Sequence, residues 1–336
     1  MEVKNVVVIG ASAGGINALI QLVGNLPAGL PIAVFVVIHM SKQSQADIIT
    51  NRLQKSTAYS CLVAENDTTI EAGHIYLAPA DWHLFLKSGK MLLLHGPHEN
   101  RWRPSIDVLF RSAAAAYDSC ATGVILSGLL DDGTSGMSAI KRSGGICIVQ
   151  EPSEAEYDDM PLNVINNVPV DHRVLAQDMG YIIADMLSKP RARLPIPEDV
   201  RIEADITERM ASNITDMQKL ATHSNFTCPD CGGGLWELEK NGHKRYRCHT
   251  GHVYTALSLL EKQGEEMEES IWISIRMLEE RRNLLLNISG HSKDNAGPGL
   301  IDNYKRRADE LAMHVERLKS LLISISKSEP GDEGYL

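Results

Sequence analysis

Short runs of β-branched and aliphatic residues alternate with helix-spaced segments along the first half of the chain. Asn5–Ile9 leads straight into Gly-Ala-Ser-Ala-Gly-Gly, and Ile32–Ile38 is apolar throughout. Runs of this kind read as strands buried on both faces. Gly123–Leu126 and Gly145–Val149 have the same character. Ile16, Leu19, Ile20 and Val23 recur at helical spacing, as do Ile106, Leu109, Phe110 and Ala113. The alternation predicts βαβ units and a doubly wound, mainly parallel α/β sheet. The stretch from Cys61 to Leu94 differs. His74–Leu77, Trp82–Leu86 and Met91–Leu94 are separated by Gly and Pro, which predicts antiparallel hairpins at a sheet edge.

This pattern ends near Leu187, where SKPRARLPIP carries three prolines and no apolar period, the signature of a linker. Four parts follow from the spacing: an α/β module over 1–188, a linker and helix over 189–225, a compact Cys/His segment over 226–256, and a helical hairpin over 257–328. One stripe of the hairpin holds Leu260, Met267, Ile271, Ile275, Leu278 and Leu285. The other holds Leu300, Tyr304, Ala308, Leu311, Val315, Leu318, Leu322 and Ile325, with steps of four and three close to a heptad. Such stripes predict an antiparallel hairpin, or pairing with a second copy or a partner helix.

Composition narrows the function classes. The chain has 336 residues, 43% of them hydrophobic and 23% charged, ordinary values for a globular protein. The apolar runs are strand-sized, too short to span a bilayer as helices. The start, MEVKNVVVIG, lacks the tripartite pattern of a signal peptide, so a cytoplasmic, non-membrane protein is expected. A formal net charge of −10 without a basic stretch argues against nucleic acid as a partner. Six cysteines, three of them scattered at Cys61, Cys120 and Cys147, do not make a disulfide framework.

The Gly10–Gly15 turn admits three readings. Ser12 stands where a dinucleotide fingerprint needs its second glycine, and the Gly-Lys-Ser/Thr of a P-loop is missing, which weakens phosphate binding. Ser12 also suits a helix cap. Third, Gly10, Ser12 and Gly14 spell G-x-S-x-G, a sharp turn that exposes a hydroxyl beside free helix N–H groups. A hydroxyl nucleophile needs a base and a group to orient it. His39 follows the second buried strand, and Asp131 and Asp132 follow Gly123–Leu126. All three therefore fall at one edge of a parallel sheet, where such folds build their sites.

The Cys/His segment carries separate chemistry. Cys228 and Cys231 form a C-x2-C turn, and Cys248 and His252 follow as C-x3-H. Four such ligands on two short turns suit a closed, structural, tetrahedral Zn²⁺ site. His249 competes for the fourth position, but it adjoins Cys248, and neighbouring residues rarely reach one ion together.

VVVIGASAGG, VVIHM, IEAGHIYLAPADWHL, RPSIDVLFRSAA, GVILSGLLDDGTSGM and GGICIVQEPSEAEYDDMP occur in this order. Together they resemble the catalytic domain of the CheB-type protein-glutamate methylesterases of bacterial chemotaxis, over about Val6 to Leu187. The resemblance implies a serine hydrolase that removes methyl groups from glutamate methyl esters on a protein such as a chemoreceptor, with glutamine deamidation as a side activity. It implies Ser12 as nucleophile, His39 as base, Asp132 rather than Asp131 as the orienting acid, and backbone N–H groups of Ala13 and Leu129 as oxyanion donors. No cofactor is implied for catalysis. Leu130 stands where the family has glycine, and Ser41 where proline is common. The module begins at residue 1, so neither the family's usual N-terminal receiver domain nor control by an attached phospho-aspartate is expected within this chain. The alternative is a non-catalytic signalling adaptor that uses the esterase fold, zinc segment and helices for docking.

Overall fold

The β-branched runs assemble into one sheet in the computed structural model, which describes residues 3–187, 189, 194–210, 214–240, 243–291 and 298–326. The strands are β1 (Asn5–Ala11), β2 (Ile32–Ile38), β3 (Ser60–Val63), β4 (Thr68–Thr69), β5 (His74–Leu77), β6 (His83–Lys87), β7 (Lys90–Leu94), β8 (Ala121–Ile125), β9 (Ile146–Gln150), β10 (His172–Val174), β11 (Thr222–Thr227), β12 (Gly234–Lys240), β13 (His243–Cys248) and β14 (Val253–Thr255). The helices are α1 (Gly15–Gly24), α2 (Ala46–Gln54), α3 (Ile106–Tyr117), α4 (Thr134–Arg142), α5 (Asp159–Asn167), α6 (Ala176–Leu187), α7 (Glu198–Arg209), α8 (Ile214–Leu220), α9 (Ala256–His291) and α10 (Pro298–Ser326). Of the linker, Ser188 and residues 190–193 lie outside the described residues. So do the break at 292–297 and the last two positions of the expected hairpin, 327 and 328.

The main sheet has the order β10-β9-β8-β1-β2-β5-β3, and every adjacent pair is parallel. Its central strands β1, β2 and β8 are buried on both faces, their successive side chains pointing to opposite sides. Val7, Ile9, Val34 and Val36 meet Leu19 and Leu22 of α1 and Met179 of α6. Val6, Val8, Phe35 and Val37 meet Leu109 and Phe110 of α3 and Ile140 of α4. From β1 the chain winds one way through β2 and the other way through β8. The strand ends at β1 are therefore the switch point where an α/β sheet opens a crevice.

The region from Cys61 to Leu94 differs from its expected form in two respects. β6 and β7 pair antiparallel, in a separate small sheet with β4. His74–Leu77 instead joins the main sheet, parallel to both β2 and β3. Ile75, Tyr76 and Leu77 are all buried, and a strand apolar on both faces is stable only between two layers.

The described residues divide at Leu259/Leu260 into two compact units. The first holds the α/β module together with an antiparallel sheet of order β11-β12-β13-β14. A buried ionic cluster ties that sheet to the module. Arg245 of β13 makes a bidentate pair with Glu203 of α7 at 2.8 and 2.9 Å. Arg111 of α3 reaches Glu203 at 3.7 Å and also bonds Glu99, which Arg247 approaches at 3.5 Å. Burial alone would push Glu203 up, but Arg245 and Arg111 hold it down at about 2. The second unit is helical. Ile275, Ala308 and Val315 are buried in it, and Lys319 pairs with Glu279 at 3.6 Å.

Candidate active site

Ser12 lies one residue beyond β1, where its N–H bonds Ser127 O at 3.0 Å across the switch point. The turn is tight because Gly14 takes φ +72 before α1, a conformation that glycine reaches without strain. A Cβ at Gly14 would also lie 2.6 Å from the Glu156 Cβ. His39 follows β2 directly, and its N–H bonds Ala11 O at 3.1 Å. Asp132 sits on the loop after β8, and Gly133 behind it takes φ +97.

These placements bring the three side chains into a chain of hydrogen bonds. The Ser12 Oγ lies 3.2 Å from His39 Nδ1. His39 Nε2 lies 2.8 Å from Asp132 Oδ2. The imidazole therefore uses Nδ1 toward the hydroxyl and Nε2 toward the acid. The neutral tautomer that satisfies both contacts carries its proton on Nε2, leaving Nδ1 free to accept the serine proton. His39 and Asp132 are almost fully buried, with side-chain exposures of 1% and 3%.

Asp132 is the most heavily bonded carboxylate of the site. Oδ2 also accepts the Ile106 N–H at 2.7 Å. Oδ1 accepts Asn100 Nδ2 at 2.8 Å, Ser105 Oγ at 3.0 Å, and the N–H groups of Gly133 and Asp107 at 3.1 and 3.2 Å. Burial pushes its pKa up, but the His39 contact and the donors of Asn100 and Ile106 outweigh it and hold the carboxyl below its ordinary range. The neighbouring Asp107 goes the other way. Burial and the charge of Asp132 push it up to about 7. Of the two acids, Asp132 therefore carries the negative charge, as orienting an imidazolium requires. Asp131 instead accepts the Thr255 hydroxyl at 3.0 Å.

Sequence reasoning passed over Asn100 and Trp102. Trp102 stacks on the His39 ring, with centroids 4.2 Å apart and planes within 8°. Asn100 bridges the two acids, donating to Asp107 Oδ2 at 2.9 Å as well as to Asp132. Both lie on an irregular loop without periodicity. The nearest sequence signal was the adjoining RPSIDVLF segment.

The second candidate centre lies on the two turns of the antiparallel sheet. The ligand atoms of Cys228, Cys231, Cys248 and His252 lie within 4.8 Å of one another. Cys231 Sγ is 3.7 Å from Cys248 Sγ, and His252 Nδ1 is 3.6 and 3.5 Å from the sulfurs of Cys228 and Cys248. A tetrahedral zinc with its usual bond lengths needs edges of about 3.8 Å between sulfurs and about 3.5 Å from sulfur to nitrogen. The donor set and its spacing fit that ion. The cluster includes His252 and not His249.

Comparison with known proteins places these features in context. A family model described as CheB methylesterase matches residues 7–183. A protein from Leptospira interrogans is 37% identical over 167 residues, which covers 49% of this chain and 86% of that one. The protein-glutamate methylesterase/protein-glutamine glutaminase 2 of Methanosarcina mazei is 35% identical over 172 residues, covering 49% of this chain and 47% of that protein. The crystal structure of the Thermotoga maritima CheB methylesterase catalytic domain superposes with a TM-score of 0.52 at 30% identity, covering 54% of this chain and 98% of that one.

Proposed function

The chain belongs to the CheB methylesterase family, and from that premise we propose that it hydrolyses γ-glutamyl methyl esters on a methylated protein, a chemoreceptor-like substrate, in a chemotaxis-type signalling system. The observation that carries this reading is the Ser12–His39–Asp132 chain at 3.2 and 2.8 Å on the sheet's switch point. Ser12 attacks the ester carbonyl while His39 Nδ1 takes its proton. Asp132 keeps the Nε2 proton in place and stabilises the cation that forms. The collapsing intermediate expels methanol, which receives the proton from Nδ1. Water, deprotonated by the same nitrogen, then releases the glutamate.

The tetrahedral oxyanion rests on backbone N–H groups of the two loops beside Ser12, in our reading those of Ala13 and Leu129. The Ser12 and Gly128 N–H groups are bonded to Ser127 O and Tyr157 O. Such donors typically contribute about 3–4 kcal/mol each to the transition state. The same machinery can attack a glutamine amide, and the Methanosarcina mazei relative's name joins both activities. The reaction uses no cofactor. Cys228, Cys231, Cys248 and His252 hold a structural Zn²⁺, which would fix the two turns of the antiparallel sheet. Among the described residues no helix is long and apolar enough to cross a membrane, in keeping with a cytoplasmic enzyme. Leu260, Met277 and Leu300 of the second unit are exposed, in keeping with self-association or pairing with a partner helix through its helices.

The test is methanol release from methylated receptors in membranes. Wild type should release it, and Ser12→Ala should lower the rate by about 10³-fold or more, in line with other triads. Equal release by the two proteins would refute the reading.

A further inference from the structure

The zinc-type segment reaches the catalytic acid through one short strand. The Val253 carbonyl of β14 accepts the Asn100 N–H at 2.8 Å, and the Val253 N–H faces His98 O at 3.4 Å. Glu99 forms an isolated parallel bridge with Val253. Its buried carboxylate is shared between Arg111 of the module and Arg247 of β13. Thr255, at the end of the same strand, donates to Asp131, the residue before the catalytic candidate.

The segment seated this way has a strained backbone. Asn100 and Arg101 both have left-handed backbones, with φ of 51 and 69. Such conformations are costly for a non-glycine residue and persist only where the surroundings enforce them. Yet this segment presents Asn100 to Asp132 and Trp102 to His39. The Cys/His cluster closes the turn immediately before β14, with His252 next to Val253 and Cys248 N–H bonded to His252 O at 3.0 Å.

We propose that the metal held by Cys228, Cys231, Cys248 and His252 is a brace for the active site: by fixing β14 it seats residues 98–102, and so makes Asn100 and Trp102 positioning residues for Asp132 and His39. The proposal rests on the esterase reading for its effect on turnover, but not for its effect on the loop. The chain of contacts is continuous, from ion to His252, to Val253, to Asn100, to Asp132. Removing the ion leaves three thiols and an imidazole at the root of β14 with no common partner. The strand keeps its pairing with β13 but loses the anchor at its root, and the strained loop relaxes.

The experiment uses the full chain in three states: with one equivalent of zinc, after chelation, and after zinc is returned. Hydrogen exchange is followed peptide by peptide, and methanol release from methylated receptors is measured in parallel. On chelation, protection at 98–102 and 253–255 should fall while β1 and β2 keep theirs. Turnover should drop about tenfold or more with KM nearly unchanged, because a displaced catalytic group costs rate rather than binding. Returning zinc should restore both. Cys231→Ser, at the most exposed ligand, should reproduce the chelated state. Unchanged exchange at 98–102 overturns the proposal. So does loss of protection throughout the sheet, which would make the metal a general stabiliser, and so does full turnover without metal. If the zinc-loaded protein releases no methanol, the esterase reading fails, and the exchange data still decide whether the metal seats the loop.

Discussion

Trp102 lies flat against His39, 4.2 Å between ring centroids, so the base of the proposed triad has an aromatic face on one side and Asp132 at its edge. An indole face attracts a cation. In the proposed mechanism Trp102 would therefore stabilise the imidazolium formed when Ser12 gives up its proton, and its flat contact fixes the plane of the ring. Replacing it by leucine keeps an apolar cover but removes the attraction and the flat contact. Trp102→Leu should lower kcat by about 3- to 30-fold, the range set by a cation–π contact of about 0.5–2 kcal/mol, with KM little altered. Steady-state methanol release checks this. An unchanged kcat would reduce Trp102 to packing.

The two histidines of the RCHTGH turn should differ sharply. His252 Nδ1 stands 3.5 Å from Cys248 Sγ, whereas His249 is outside the cluster. His252→Ala should lose bound zinc, and His249→Ala should keep one equivalent. Metal content by mass spectrometry of the purified proteins decides the matter. The reverse pattern would mean the ligand has been misassigned.

The buried ionic cluster predicts a particular response to acid. Glu203 is held at about 2, with burial opposing and Arg245 and Arg111 prevailing. A folded-state pKa below the unfolded one means the stabilisation is fully present above the unfolded value, about 4.3, and is lost as pH falls toward the folded value. Stability should therefore fall steeply between about pH 4 and pH 2. Glu203→Gln should be less stable at neutral pH, by about 3–5 kcal/mol as for other broken buried pairs. Its stability should also depend less on pH in the acid range. Urea unfolding at a series of pH values measures both. Parallel curves for the two proteins would show that Glu203 does not bind the proton.

Leu130 replaces a glycine expected from the family pattern, and it adopts φ +63. The backbone there is left-handed whatever the side chain, and the strain on a leucine is about 1–2 kcal/mol. Leu130→Gly should leave the thermal midpoint unchanged or raise it, even though it deletes a half-buried side chain. A fall of several degrees in Tm would show that packing of the leucine outweighs its backbone strain.

Much of this was readable from residue order. Ser12, His39 and Asp132 each come after a mostly apolar, buried strand, and parallel strands deliver their ends to one edge. The CPxC and CxxxH turns announce convergence locally, because each pair is close in sequence. What escaped the sequence depends on contacts between distant segments. Glu99, Arg111, Glu203, Arg245 and Arg247 look like surface charges when read singly. They are buried only because they neutralise one another across three elements. His74–Leu77 was expected in a hairpin because Gly and Pro flank it. Its neighbours in the sheet, β2 and β3, overrode the local turn signals. Asn100 and Trp102 lie in a loop that pairs with the distant Val253, and no local pattern encodes that.

The pairing of Asn100 with Val253 also bears on how the protein comes into being. The two residues are about 150 positions apart, and contacts so distant in the chain close late and slowly. During synthesis, the α/β sheet can gather as soon as its last strand has emerged. The loop over the histidine must wait until the second cysteine turn has been made and followed by β14. If β14 seats the loop as proposed, a nascent or prematurely terminated chain would hold a finished sheet and an unseated 98–102 segment, so full turnover would wait until the polypeptide has grown well past the α/β module.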